Sequence, residues 1–232
     1  MIDGGSGTDQ YDASNALGTV SINLDTVAHD LSPYDTGGLV AANTAHGADA
    51  EIGSKDTIKN FEDASGGAGN DFIYGNASTN FLFGNGGFDV LYGFAGSDEL
   101  FGGGGGDSLF GGAGRDYIEG GAGGDTYYFA SITDSGVTAA TRDRIDDFEN
   151  GFDQISLANI DANSATRGAN DAFTYLGTNV AFSKTTGELR AYWTANGQII
   201  EGDVNGDGKA DFSIELFDPN HAIALDGSDF LL

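Results

Sequence analysis

The chain has 232 residues and a formal net charge of −27, with 36 acidic residues, only 9 lysines and arginines, 39 glycines and no cysteine. So few basic residues argue against a nucleic-acid partner or an anionic membrane surface, and the lack of cysteine excludes disulfides, thiol nucleophiles and thiolate metal sites. With 16 phenylalanines and 9 tyrosines the chain is too aromatic to be wholly disordered, so bound cations are the better explanation of its charge.

The first segment, residues 1–65, begins with a single glycine-rich unit of nine residues. Residues 4–12 read GGSGTDQYD, with Asp9 at the sixth position. Ile2 and Asp3 read as the tail of a preceding unit, so we expect the chain to begin inside a longer array. The start has neither a basic nor an apolar stretch, which predicts no N-terminal signal peptide. No apolar run approaches the ~20 residues that a membrane-spanning helix needs.

The rest of this segment lies between the isolated unit and the repeat block. Residues 19–24 alternate as a strand does, and residues 25–50 are typical of a long loop. That loop holds His29 and His46, which we expect to be solvated rather than to bind a transition metal. Residues 57–63 lead into the repeat and are expected to form a first coil or cap.

Residues 66–128 form seven consecutive nonapeptides without a gap: GGAGNDFIY, GNASTNFLF, GNGGFDVLY, GFAGSDELF, GGGGGDSLF, GGAGRDYIE and GGAGGDTYY. Glycines at positions 1, 2 and 4 favour a tight turn, and the large apolar residue at position 8 favours a short strand whose centre points inward. A flexible linker would not keep that apolar period. The ninth positions are mostly aromatic and should form outward ladders.

Two such units would close one coil of a solenoid, so residues 18 apart should be stacked neighbours. The sixth positions then form one column of Asp71, Asp89, Asp107 and Asp125 and a second of Asn80, Asp98 and Asp116, with Glu62 as a weak first member. Stacked strands lie about 4.8 Å apart, so aligned carboxylates would repel one another without an intervening cation. Calcium suits this arrangement because it takes about 6–8 carboxylate and carbonyl oxygens in flexible geometry, whereas magnesium demands an octahedron and zinc prefers His or Cys.

These nonapeptides resemble the RTX (repeats-in-toxin) family, whose consensus is GGxGxDxUx with U large and apolar. The resemblance implies an all-β fold, a right-handed parallel β-roll with several calcium ions between successive turns. It also implies the metal ligands, which are Asp71, Asp89, Asp107, Asp125, Asp98 and Asp116, with Asp9 in the isolated unit. Asn80 departs from the consensus, and its neutral side chain predicts a weaker site.

Residues 129–232 no longer repeat and are expected to cap the roll with a β-sandwich or β-sheet, because bare strand edges would promote association. The segment resembles the C-terminal region of serralysin-type (peptidase M10) secreted metalloproteases. The residues that carry this resemblance are the D-x-I-x-D-F…G-x-D-x-I run at 143–155, residues 187–190, residues 201–203 and residues 211–214.

A second calcium motif lies within this region, at residues 203–211. Its oxygen ligands would be Asp203, Asn205, Asp207 and Asp211 at positions 1, 3, 5 and 9, with the backbone carbonyl of Lys209 at position 7 and Gly206 at position 6. Position 12 is Ile214, so the closing bidentate carboxylate of an EF-hand is missing. Alternating flanks predict a calcium loop that joins a β-hairpin, and an ordinary acidic turn is the alternative.

The chain ends in Asp229, Phe230, Leu231 and Leu232. In proteins that this sequence resembles, such an ending belongs to an uncleaved type I secretion signal, and a last strand is the alternative. No catalytic residues are expected, because the sequence has no H-E-x-x-H, no G-x-S-x-G and no cysteine.

The sequence therefore predicts a non-catalytic, extracellular calcium-binding module. Its partners would be calcium ions and the type I secretion machinery, with no nucleic acid and no membrane span, and we expect a monomer. Two alternatives stay open. The chain could be the C-terminal part of a secreted enzyme with its catalytic domain upstream, or a calcium-dependent adhesion module for a surface glycan.

Overall fold

The computed structural model describes residues 2–3, 9–25, 29–30, 39–40, 44–47, 56–59, 61–166 and 170–232. Within them the regular secondary structure is almost entirely β-strand. The first segment contributes β1 (Ile2–Asp3), β2 (Gln10–Asp12), β3 (Val20–Asn23), β4 (His29–Asp30), β5 (Leu39–Val40), β6 (Thr44–Gly47), β7 (Asp56–Lys59) and β8 (Asp63–Ser65).

The repeat block contributes β9 (Phe72–Asn76), β10 (Phe81–Gly86), β11 (Val90–Gly96), β12 (Glu99–Gly105), β13 (Ser108–Gly114), β14 (Tyr117–Gly123) and β15 (Thr126–Tyr128). The last segment contributes β16 (Asp143–Ile145), β17 (Gln154–Ser156), β18 (Thr174–Thr178), β19 (Glu188–Thr194), β20 (Gly197–Asp203), β21 (Phe212–Phe217) and β22 (Phe230–Leu231), with a 3-10 helix at Gly227–Asp229. In the part of the chain that the structure describes, no helix is long and apolar enough to cross a membrane.

Two ten-stranded sheets face each other. Sheet 1 has the order β1-β7-β6-β3-β9-β11-β13-β15-β17-β22, and sheet 2 has the order β18-β19-β20-β21-β16-β14-β12-β10-β8-β2. Successive strands of the repeat alternate between the sheets and pair in parallel with the strand two units on, so that Leu91 lies opposite Leu109 and Leu82 opposite Leu100. The predicted parallel β-roll is confirmed.

The interior of the roll consists of two rows of large apolar side chains, one from each sheet. The eighth positions of all seven repeats are at most 1% exposed: Ile73, Leu82, Leu91, Leu100, Leu109, Ile118 and Tyr127. In sheet 1, Ile22 lies before the first residue of the row and Ile155 lies after the last. In sheet 2, Ile145 and Leu216 lie after the last residue of the row. The core therefore runs without interruption from the first segment through the repeats into the last.

The strands of the repeat are longer than the three residues expected from the sequence. Strands β11 to β14 have seven residues each and continue through the fourth position of the next unit. Parallel pairing persists there because glycine admits the backbone that the turn needs. Gly105, for example, has a φ of +143°, and an added Cβ would collide with the carbonyl oxygen of Gly87 on the preceding coil.

The first segment contains more strand than its sequence indicated. The predicted strand at 19–24 is present as β3, but β4, β5 and β6 lie within residues 25–50, which we expected to be a loop. Strand β3 pairs in parallel with β9 and antiparallel with β6, so it joins the roll to this segment. The side chains of His29 and His46, and residues 4–8 of the isolated nonapeptide, lie outside the described residues.

Candidate metal centre

The sixth residues of the repeats form two carboxylate columns along the roll, as the 18-residue spacing predicts. In column one the backbone N–H of each residue donates to the Oδ1 of the next: Asp71 to Asp89 at 2.7 Å, then Asp89 to Asp107, Asp107 to Asp125 and Asp125 to Asp153, each at 2.8 Å. In column two the same bond joins Asn80 to Asp98, Asp98 to Asp116 and Asp116 to Asp143, each at 2.8 Å. Each carboxylate thus uses one oxygen to fix the backbone of the preceding coil.

The other carboxylate oxygen of most of these residues is buried without a hydrogen-bond partner. This holds for the Oδ2 atoms of Asp89, Asp107, Asp125, Asp98, Asp116 and Asp143. The side chains that carry them are at most 2% exposed. Because leaving a buried charged oxygen unpaired is expensive, such a row points to a ligand that supplies positive charge.

In five repeats the unpaired Oδ2 atom lies beside the glycine at the first position of the same repeat, where an added Cβ would collide with it: Asp89, Asp98, Asp107, Asp116 and Asp125. At Gly84, in the first position of its repeat, an added Cβ would lie 2.6 Å from the carbonyl oxygen of Gly102 and would collide with Oδ2 of Asp89. The equivalent Cβ at Gly93 would meet Oδ2 of Asp98 and the carbonyl oxygen of Gly111 in the same way. A carboxylate oxygen and a backbone carbonyl oxygen therefore converge on Gly84, Gly93 and Gly102, and these places are the glycine cradles of the roll.

The stacking of these carboxyls changes their acidity. The pKa of Asp89 is raised to about 8, chiefly by burial and also by the charges of Asp107 and Asp71 on the adjacent coils, while the N–H of Asp71 opposes the shift. Burial likewise raises the pKa of Asp98 to about 7 and that of Asp107 to about 6. Without a cation, Asp89 and Asp98 therefore resist ionisation near neutral pH more than an ordinary aspartate does.

Two column members lie beyond the glycine repeats and were not among the metal ligands predicted from the sequence. Asp143 extends column two and Asp153 extends column one, and both are buried. Burial raises the pKa of Asp143 to about 9 and that of Asp153 to about 6. Their signal was present in the sequence, because Ile145 and Ile155 follow them by two residues, as the apolar eighth position follows the sixth in every repeat.

Asp9 and Glu62 continue column two in the other direction. Strand β2 pairs with β8 so that Tyr11 lies opposite Ala64, and the N–H of Asp9 donates to Oε2 of Glu62 at 3.1 Å. Oδ2 of Asp9 is also buried without a hydrogen-bond partner.

Asn80 differs from the aspartates for a local reason. Its Nδ2 donates to the backbone carbonyl of Glu62, and its Oδ1 accepts from the N–H of Asn76 at 2.7 Å. An aspartate could not donate to that carbonyl. The amide therefore satisfies this position by hydrogen bonds alone, and the weaker site that its neutral side chain predicts stays a prediction.

The acidic loop at residues 203–211 joins β20 to β21, which pair antiparallel as the predicted hairpin. Asp203 is fully buried; its Oδ1 accepts from the N–H of Gly206 at 2.7 Å and its Oδ2 from that of Gly208 at 2.8 Å. The remaining acidic and amide side chains are also bonded within the loop: Asn205 to Asp207 and Asp211, and Asp207 to the N–H of Lys209. The loop is pre-shaped, and it lies apart from the two columns.

Among the described residues, no group of three or more His, Cys, Asp or Glu side chains converges on one point. The columns bring carboxylates together in pairs along the roll, and backbone carbonyls must complete any site. Calcium accepts such mixed carboxylate and carbonyl ligands, and neither His nor Cys lines the glycine cradles, so the residues present fit calcium rather than zinc.

The C-terminal residues are part of the fold. Strand β22 pairs with β17, and Phe230 is buried against Tyr175 with ring centroids 4.9 Å apart. Asp229 is buried and accepts from Nδ2 of Asn150 at 3.0 Å. The acidic and apolar ending thus docks as a last strand beside the roll.

Comparison with known proteins identifies the class that this roll and its carboxylate columns define. The model of the family described as peptidase M10 serralysin C terminal matches residues 1–226, and the chain belongs to that family. It is thus a calcium-binding module of the RTX type, and the family is the non-catalytic part of the serralysins.

Two solved structures are similar to parts of the chain. The AlgE6R3 subunit of the Azotobacter vinelandii mannuronan C5-epimerase, a solution structure, is 26% identical, with 69% of this chain and 77% of that one covered and a TM-score of 0.35. The AlgE6R2 subunit of the same enzyme is 28% identical, with 70% and 87% covered and a TM-score of 0.36. No curated protein matches the chain.

Proposed function

We propose that this chain is a secreted, non-catalytic module that folds when its two carboxylate columns bind calcium outside the cell. The observation that carries the proposal is the row of buried, unpaired Oδ2 atoms that face glycine cradles. The ligands would be Asp71, Asp89, Asp107, Asp125 and Asp153 in column one, and Asp9, Glu62, Asn80, Asp98, Asp116 and Asp143 in column two, together with glycine carbonyls.

The columns would act as a folding switch because their own charges oppose the fold. With a net charge of −27 and carboxylates stacked on successive coils, the calcium-free chain is destabilised by self-repulsion and by the burial of charge. Bound calcium supplies positive charge and stabilises the folded state by about 2.7 kcal/mol per site at a hundredfold excess over Kd. Because one carboxylate can serve two adjacent sites, folding should be cooperative in calcium.

The loop at 203–211 would add one calcium site, with Asp203, Asn205, Asp207, Asp211 and the carbonyl of Lys209 as ligands. Its spacing of oxygen ligands supports this role, and the two glycines of positive φ, Gly206 and Gly208, fold the backbone tightly around Asp203, to which their N–H groups donate. We propose a division into a first coil (1–65), a roll (66–128) and a cap (129–232) that holds this loop.

Export by the type I pathway is supported by the position of the C-terminal residues. Asp229 and Phe230 are buried in the folded molecule, so a signal made of them could be read only before folding. A chain that folds only in extracellular calcium would keep this ending accessible inside the cell. Membership of the serralysin C-terminal family leaves room for a catalytic domain elsewhere in a longer protein.

The glycan-adhesion alternative draws no support from the aromatic ladders. Tyr92 and Phe110 stack with centroids 4.1 Å apart, Phe110 and Tyr128 at 4.3 Å, and Phe83 and Phe101 at 4.9 Å. Their ring faces contact one another rather than solvent, whereas sugar rings stack on free aromatic faces. The ladders therefore act as cross-strand packing.

The test is a calcium titration of the full chain, followed by circular dichroism and by isothermal titration calorimetry. We expect little β-structure in excess chelator, a cooperative gain at millimolar calcium, and a weaker response for Asp107→Asn. Asp161→Asn, a matched change in the cap outside both columns, should titrate like the wild type. Full β-structure in excess chelator at neutral pH would refute the switch.

A further inference from the structure

The two carboxylate columns have different electrostatic surroundings. The residue before each column member, at the fifth position of the repeat, lies at the edge of the roll. Beside column one these residues are uncharged: Asn70, Phe88, Gly106, Gly124 and Phe152. Beside column two they are Thr79, Ser97, Arg115 and Arg142, the last two on adjacent coils because Tyr117 lies opposite Arg144.

Arg115 is well placed to act on column two. It lines a cavity of about 320 Å³ together with Asp98 and Asp116, whose Oδ2 atoms are buried and unpaired. It also lies near enough to Asp143 to lower the pKa of that carboxyl, against the larger effect of burial. Arg142 is fixed on the next coil, where its Nη2 donates to the carbonyl of Val137 at 2.8 Å.

Nearby acidic residues do not cancel this difference. Arg144 lines the same cavity but is paired with Asp146, and Glu99 contributes one carboxylate there. Asp134 adds negative charge beside Asp116 and Asp143. At its cap end, column one has acidic neighbours in place of the arginines, since Asp147 and Glu149 both add negative charge beside Asp125.

We infer that calcium fills the two columns in sequence, column one first and column two at higher calcium, because Arg115 and Arg142 repel cations from column two only. The inference rests on the proposed calcium function and extends it, because each column would fill at its own calcium concentration. Asn80 acts in the same direction, since it removes one formal charge from column two. At water-like dielectric, one arginine close to a site repels a divalent ion enough to weaken its binding on the order of fivefold.

The experiment measures calcium binding to the full chain by competition with a chromophoric chelator at low salt. We expect two classes of sites in the wild type. Arg115→Gln, at an exposed position, should raise the affinity of the weaker class on the order of fivefold and leave the stronger class unchanged. Arg115→Lys keeps the charge and serves as the matched control, which should bind like the wild type. Phe88→Arg places the charge beside column one and should weaken the stronger class.

The outcomes separate this inference from the function on which it rests. A single class of sites in the wild type, an Arg115→Gln variant with unchanged affinities, or an Arg115→Lys variant that behaves like Arg115→Gln would each overturn sequential filling while calcium binding stands. A chain that binds no calcium would overturn both.

Discussion

The backbone N–H of Asp116, in the last glycine repeat of column two, donates to Oδ1 of Asp143 at 2.8 Å although 27 residues separate them. A loop of non-repetitive sequence therefore returns the chain to the position that the next repeat would have filled. The cap supplies the final acceptor of the column, so the roll ends in a paired backbone instead of an open edge.

Replacement of Asp143 should separate its role as a hydrogen-bond acceptor from its proposed role as a calcium ligand. Asp143→Ala removes the acceptor and leaves the N–H of Asp116 buried and unpaired, which should cost about 1–3 kcal/mol of stability with or without calcium. Asp143→Asn keeps an acceptor oxygen, and the raised pKa of Asp143 leaves the wild-type carboxyl protonated at pH 5, so the calcium-free Asn variant should be as stable as the wild type at that pH. In calcium, the Asn variant should lose affinity. Urea unfolding of the three proteins in calcium-depleted buffer at pH 5 and in calcium measures this, and equal effects of both substitutions at pH 5 would contradict the hydrogen-bond role.

The column carboxyls predict an unusual pH dependence for the calcium-free chain. The pKa of Asp89 is raised from 3.8 to about 8, that of Asp98 to about 7 and that of Asp107 to about 6. Folded chains then bind more protons than unfolded chains between pH 4 and these values, so stability is highest in acid and is lost as the pH rises through about 6 to 8. Circular dichroism in calcium-depleted buffer should show more β-structure at pH 5 than at pH 8.

Calcium binding should release protons in the same pH range. The ion binds the ionised carboxylates, so its affinity should rise from pH 6 to pH 8. Calorimetric titrations in buffers of different ionisation enthalpy count the protons released. A calcium-free chain that loses β-structure on acidification from pH 8 to pH 5, or binding without proton release at pH 6.5, would contradict the raised pKa values.

The glycine cradles can be tested within a single strand. In Gly102→Ala the new Cβ would lie 2.5 Å from the carbonyl oxygen of Gly120 and would collide with Oδ2 of Asp107. We expect a lower calcium stoichiometry and a less stable fold. In Gly104→Ala, two residues along β12, the nearest atom to the Cβ would be the carbonyl oxygen of Asn85 at 3.9 Å, so this variant should bind calcium like the wild type. Isothermal titration calorimetry compares the calcium stoichiometry of the two variants. Equal stoichiometries would show that the space at Gly102 is not part of the calcium site.

The stacking of the repeats and their carboxylate columns could be predicted from the sequence, whereas the segments beyond the repeats were predicted less well. Seven units of constant length fix which residues stack, so the columns from Asp71 to Asp125 and from Asn80 to Asp116 follow from counting. Asp143 and Asp153 were not predicted as column members because no glycine-rich turn precedes them, although each is followed two residues later by an isoleucine, as in the repeats. The strands within residues 25–50 are two to four residues long, and long-range pairing specifies them more than local sequence does.

The loop at 203–211 predicts different results for its buried and its exposed carboxylates. Asp203 is buried and accepts from the N–H groups of Gly206 and Gly208, so Asp203→Ala should destabilise the cap by about 1–3 kcal/mol even without calcium at pH 5, where the calcium-free chain keeps its β-structure. Asp207 is exposed, and Asp207→Asn keeps an oxygen that can accept from the N–H of Lys209. That variant should keep the calcium-free stability and bind one calcium ion fewer, or bind it more weakly. Urea unfolding curves in calcium-depleted buffer at pH 5, together with calorimetric stoichiometry in calcium at neutral pH, distinguish the two results. An Asp207→Asn variant with wild-type calcium binding would make the loop an ordinary hairpin turn, held by Asp203 alone.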